Sequence, residues 1–275
     1  MPEPELSATP APDQAPNLAE TTRPDYSEWD PRSAPGTYLL LAINIAVFLW
    51  MTLHGVSLRD PTRDQLLQYG ANSPSLVLEG QWYRLLTATF VHIGIIHIAT
   101  NMWCLWNLGL LGEPLLGPYG MVTVYVLTGV AGNLVSVAWD VIELPHEYLS
   151  QQVGAGASGA VFGIAGILII LLSNRKLPIP WSELKRLRTS VMRFAGINLV
   201  IGVSTILPQL GSYVRIDNSA HLGGFLSGLA LGPGLVPRMT SGRVRYLARQ
   251  RVVFLAAAFI LSLFGYWIAN AGSSQ

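Results

Sequence analysis

Five polar side chains lie where the surrounding sequence carries almost no charge: His92, His97 and Asn101 in one apolar stretch, Ser158 in a second and His221 in a third. A serine with an imidazole in hydrogen-bond reach is a nucleophile and its base, the pair that acyl transfer requires. Taken singly, each has a plainer use. A serine in an apolar helix usually bonds back to its own backbone, and a histidine there often serves as an interhelical donor.

The flanking residues favour the chemical use. The chain reads Gly154-Ala155-Gly156-Ala157-Ser158-Gly159-Ala160-Val161-Phe162-Gly163, so Gly159 and Gly163 form a GxxxG pair directly after the serine. Gly224 and Gly228 repeat that spacing after His221. Two such small faces let helices approach closely enough for a serine oxygen and an imidazole to meet. Acyl transfer also needs donors for the developing oxyanion. A serine near a helix start offers its own N–H, and Asn101, four residues after His97 on the same face, offers an amide. Other chemistries fit less well. There is no HExxH, His92 and His97 have no nearby carboxylate, and Cys104 is the only cysteine, so neither a metal nor another cofactor is expected. Asp140 and Asp217 lie at span edges without an aspartyl-protease signature, and Ala160 stands where a soluble-hydrolase elbow needs its last glycine.

The elements that must hold these residues are membrane spans. The chain of 275 residues is 51% hydrophobic and 12% charged, against about 25% charged in soluble domains. Its mean hydropathy is +0.40. Seventeen basic against 16 acidic residues leave no cationic excess for nucleic acid, which is excluded as a partner. Apolar runs at 36–56, 85–112, 121–139, 154–174, 194–213, 219–237 and 252–275 are each near the roughly 20 residues that cross a bilayer. Seven spans are therefore expected in an all-α, polytopic transmembrane bundle. Residues 1–35, rich in proline and acid, read as a disordered tail without a signal-peptide pattern.

Arg175, Lys176, Lys185, Arg186, Arg188 and Arg193 are expected in the loop between spans four and five. Arg238, Arg243, Arg245, Arg249 and Arg251 are expected in the loop between six and seven. These hold 11 of the 17 cations, which makes that side and the amino terminus cytoplasmic and turns the polar cluster outward. The absence of an internal repeat disfavours a transporter.

With these residues in view, the chain resembles the rhomboid family of intramembrane serine proteases. Trp82-Tyr83-Arg84 is similar to the family's Trp-x-Arg of the first outer loop, and His97 to Asn101 to its His-x-x-x-Asn. Gly109, Glu113 and Gly117 match G-x-x-x-E-x-x-x-G, Gly156-Ala157-Ser158-Gly159 matches G-x-S-G, and Ala220-His221-Leu222-Gly223-Gly224 matches A-H-x-x-G. The five motifs occur in family order. The resemblance implies a six-helix core over 36–237, with residues 238–275 supplying a basic loop and a seventh span. It implies Ser158 as nucleophile and His221 as base in a dyad without an acid, and an oxyanion hole of His97, Asn101 and the Ser158 N–H. Phe162 would pack on the base, and Gly224 would seat the base helix. Trp82, Arg84, Gly156 and Gly159 would support the site. The implied activity is cleavage of membrane proteins within or near a transmembrane helix, with transmembrane substrates and the lipid bilayer as partners. The tail does not read as a transit peptide, so a plasma (inner) membrane is expected. The alternative is a catalytically silent relative that binds transmembrane clients.

Overall fold

The structure, a computed structural model, describes residues 33–204, 217–237 and 242–272. The acidic tail lies outside these residues except for its last positions: Ala34 is buried and Pro35 already opens the first helix. In chain order the elements are α1 (Pro35–Leu53), α2 (Arg63–Gln68), α3 (Pro74–Leu78), α4 (Arg84–Thr87), α5 (Gly94–Glu143), α6 (His146–Leu149), α7 (Ser158–Leu171), α8 (Trp181–Ser204), α9 (Asn218–Leu235) and α10 (Arg243–Gly272). Among the described residues the only β pairing is an isolated bridge between Asn72 and Gly154. The described residues form a helical membrane bundle.

Proline at the first position of α1 gives up an N–H that has no helical partner in any case. The next N–H groups, of Gly36 and Thr37, donate to the Glu113 carboxylate at 2.8 and 2.7 Å, and Thr37 Oγ1 donates to it at 2.6 Å. A buried carboxylate thus accepts the first N–H groups of α1, which have no partner within the helix. The charged residue of the G-x-x-x-E-x-x-x-G stretch therefore ties α1 to α5.

Helix α5 runs for 50 residues with one break, at Gly117, whose φ of +74° and ψ of 165° are open to glycine. Pro118 follows and removes a ladder donor. The chain folds back there: Tyr125 Oη reaches Thr89 O at 2.9 Å and Asn133 Nδ2 reaches Leu85 O at 2.8 Å, beside the point where α5 began. The two limbs, 94–116 and 118–143, take the place of the expected spans 85–112 and 121–139.

The expected start of span two at Leu85 is corrected. Residues 84–87 form one short turn, a loop follows, and α5 begins at Gly94 with φ +80°. Leu85, Ala88 and Val91 are apolar because they are buried within the segment ahead of α5, not because they face lipid. His92 is consequently a loop residue.

Helix α7 is shorter than expected, 14 residues or about 21 Å. It is apolar all round and buried by its neighbours, the sign of a central helix. Small residues make this possible. A Cβ at Gly132 of α5 would lie 2.6 Å from Ala220 O of α9 and 3.5 Å from the Gly159 Cα of α7, so three helices meet there almost backbone to backbone. Gly224 and Gly228 of α9 lie on the carbonyl oxygens of Gly159 and Gly163, each so close that a side-chain carbon would overlap the oxygen.

Two further boundaries are corrected. Helix α8 begins at Trp181 and is described to Ser204, so Lys185, Arg186, Arg188 and Arg193 are helical; the remainder of the expected span to Tyr213 lies outside the described residues. Helix α10 begins at Arg243, nine residues ahead of Val252, so Arg243, Arg245, Arg249 and Arg251 are its first turns; Arg238 lies outside the described residues. Cation-bearing turns are helical here because helices extend beyond the apolar layer that hydropathy detects. Leu39, Ile43 and Leu49 of α1 and Leu255, Phe259 and Leu263 of α10 are exposed, the apolar surface a bilayer covers. Among the described residues, three helices, α1, α5 and α10, are long and apolar enough to cross one.

Candidate active site

Ser158 is the first residue of α7, half-buried, and its hydroxyl makes no hydrogen bond among the described residues. The approach to it is pinned from several sides. Asn72 and Gly154 exchange backbone bonds of 2.8 and 2.9 Å, Gly156 N donates to Ala88 O at 2.9 Å, and Ala157 N donates to His92 Nε2 at 3.3 Å. A ring nitrogen that accepts carries no hydrogen, so His92 bears its proton on Nδ1, which donates to Phe90 O at 3.2 Å. His92 is fully buried and serves this loop. The first N–H groups of α7, that of Ser158 among them, have no acceptor within the helix.

His97 Nδ1 accepts from Ile93 N at 3.2 Å, which leaves the proton on Nε2. That donor lies against the serine loop: a Cβ at Gly156 would come 2.6 Å from His97 Cε1 and 2.9 Å from Nε2. Gly156 also has φ +130°, so two independent demands require glycine there. Asn101 is buried and gives one amide hydrogen to His97 O at 2.9 Å, one turn back on α5, which leaves its second hydrogen for another acceptor.

His221 lies in the first turn of α9, 6% exposed, with its ring stacked on Phe162 at 4.4 Å between centroids and 15° between planes. Phe162 is four residues after Ser158 and shares its face of α7. The imidazole therefore lies on the serine's face, within about one helical turn. Its Nδ1 is buried without a partner among the described residues. Asp217 is not that partner. Its Oδ1 accepts from Ala220 N at 2.9 Å and Ser219 Oγ at 2.6 Å, and its Oδ2 from Ser136 Oγ at 2.5 Å, so it caps α9 and ties it to α5. An apolar cavity of about 220 Å³ opens beside His221, walled by Phe162, Met192, Leu199 and Phe225.

Trp82 and Arg84 are not brought to Ser158. Arg84 Nη1 donates to Leu67 O at 2.8 Å and Ala71 O at 2.9 Å, and its Nε to Gln81 Oε1 at 2.7 Å. It thereby fixes the strand-like segment at Asn72 that pairs with Gly154. Trp82 packs with Leu134, and its ring lies 3.4 Å from where a Cβ on Gly265 of α10 would be. Both act on the segment ahead of α5, and neither bonds to Ser158 among the described residues. Asn72 and Ala88 are supports that carry no motif; a backbone carbonyl and a lone asparagine leave no trace in sequence.

Comparison with known proteins agrees with this architecture. The rhomboid domain family matches residues 79–238. The chain is 32% identical over 226 residues to the rhomboid protease GluP of Bacillus subtilis (strain 168), covering 82% of this chain and 39% of that protein. It is 28% identical over 200 residues to the rhomboid protease AarA of Providencia stuartii, covering 70% and 69%. With RHOMBOID-like protein 5 of Arabidopsis thaliana it shares 34% over 188 residues, 68% of this chain and 55% of that one. The helical bundle and these similarities define an integral membrane protein, and the chain belongs to the rhomboid family. It spans from about two-fifths to about two-thirds of the lengths of these relatives.

Proposed function

We propose that this chain is an intramembrane serine endopeptidase that cuts membrane proteins within or near a transmembrane helix. Two of its relatives bear the name rhomboid protease, which supports the class. The observation that carries the mechanism is the stack of His221 on Phe162, one turn from Ser158 on the same face. Ser158 Oγ attacks the scissile carbonyl carbon while its proton passes to His221 Nε2. The carbonyl oxygen, now an oxyanion, takes hydrogen bonds from the Ser158 N–H, His97 Nε2 and Asn101 Nδ2. His221 then protonates the leaving amine, and a water, deprotonated by the same imidazole, releases the acyl chain from Ser158. No acid is needed to hold the base, because stacking on Phe162 already orients it.

Phe162 and Gly224 are positioning residues in this reading, and Gly156 and Gly159 admit His97 and α9. The membrane is taken to be a plasma (inner) membrane, with the amino terminus cytoplasmic and the site open outward. A serine-directed fluorophosphonate probe tests the pair: wild type should label on Ser158, and His221→Ala should label far more slowly. Equal labelling of the two would remove His221 as base, and no labelling of wild type would favour a silent client-binding protein.

A further inference from the structure

A second cavity, of about 710 Å³, lies at the opposite end of the bundle from Ser158. Its walls are the turn between the limbs of α5, at Pro114, Pro118 and Tyr119, and the first turns of α10, at Arg243, Tyr246 and Arg251. The turn is about 20 residues beyond His97, or roughly 30 Å along the first limb of α5.

The polar residues of α10 fall into two groups here. Tyr246 Oη donates to Leu115 O at 3.0 Å and Leu235 O at 3.1 Å, Gln250 Nε2 to Leu116 O at 2.8 Å, and Arg249 Nη2 to Val236 O at 2.5 Å. These three satisfy carbonyls left open at the Gly117 break and at the end of α9, so packing explains them. Arg243 and Arg251 make no hydrogen bond or ion pair among the described residues, yet both line the cavity. No acidic residue lines it, and Glu113 nearby is already held by α1. Two exposed arginines, unpaired among the described residues, thus line a hollow whose other side chains are apolar or aromatic, with the Tyr246 hydroxyl already bonded.

We propose that this cavity binds the phosphate of an anionic phospholipid, with Arg243 and Arg251 as its two contacts. Guanidinium groups match phosphate oxygens in pairs, and basic pockets between spanning helices at a membrane face suit such headgroups. The lipid, rather than a soluble anion, is favoured by position. Just beyond Arg251 the same helix exposes Val252 and Leu255, so a phosphate at the arginines leaves acyl chains alongside apolar surface. The remaining wall, with Leu115, Pro118 and Leu247, is equally apolar. A bound lipid would bridge the α5 turn to α10 and hold the last helix on the core.

The test is native mass spectrometry of the full chain in neutral detergent, titrated with phosphatidylglycerol, phosphatidylcholine or inorganic phosphate. Wild type should retain phosphatidylglycerol about tenfold or more over phosphatidylcholine, and Arg243→Gln with Arg251→Gln should reduce that preference at least tenfold. Arg245→Gln, exposed and outside the cavity, should leave it unchanged. Equal retention of the two lipids by wild type would overturn the proposal, as would full preference in the double variant or an equal loss in Arg245→Gln. Inorganic phosphate binding as tightly as phosphatidylglycerol would assign the hollow to a soluble anion and overturn the lipid. Should the glutamine pair not fold, Arg243→Lys with Arg251→Lys keeps the charges, and the wild-type comparisons still decide.

Discussion

The imidazole of His221 stacks on an aromatic face where a Ser-His-Asp triad would set a carboxylate, and the nearby Asp217 carboxylate is spent elsewhere. Asp217→Asn should therefore keep most of the activity, since an amide oxygen can still cap α9. A loss of about 10⁴-fold with the fold intact, the scale of neutralising a triad acid, would show that Asp217 serves the base after all. Asp217→Ala should instead lower thermal stability by about 1 kcal/mol through the lost cap. If Asn101 is an oxyanion donor as proposed, Asn101→Ala should cost about 10²- to 10³-fold in kcat with little change in KM. A rise in KM alone would reassign Asn101 to substrate binding. At this scale part of the arrangement was legible: glycines around a serine and a histidine in charge-free sequence pointed to two helices in close approach, and Phe162 four residues after Ser158 does stack on His221. His92 was not legible as a loop residue, because a buried loop and a lipid-facing helix share the same hydropathy. The proton positions on both histidines depend on backbone donors, Ala157 N and Ile93 N, that sequence does not name.

At the scale of elements, the decisive contact is backbone against backbone between α7 and α9. Gly224 faces the Gly159 carbonyl oxygen, which cannot step aside, whereas Gly232 faces the side chain of Ile170. Gly224→Ala should thus abolish most activity and lower the unfolding temperature, while Gly232→Ala should be milder in both. Equal effects in activity and melting would remove the close-packing argument. The GxxxG spacings announced this pairing, since small residues four apart have few other uses on apolar helices. Helix ends were less legible. The cation-rich starts of α8 and α10 lie outside the apolar runs, and the single-residue break at Gly117 replaces what looked like a loop of several residues.

For the whole molecule, cations gather at one end and Ser158 lies near the other, which sets the expected orientation. Ser75, in α3, and Ser182, at the start of α8, lie at opposite ends by this reading. In a Cys104→Ala background, Ser75→Cys should react with an impermeant thiol reagent on intact cells and Ser182→Cys should not. The reverse labelling would turn the site inward. Cleavage itself is the most direct test. Reconstituted wild-type protein, incubated with a panel of single-span substrates, should produce a cut within or near the spanning segment of at least one of them. Ser158→Ala and His221→Ala should each lose that cut by several orders of magnitude while folding normally, and the double variant should be no worse than either alone. Substantial cleavage of the same substrate by Ser158→Ala would contradict the serine mechanism outright.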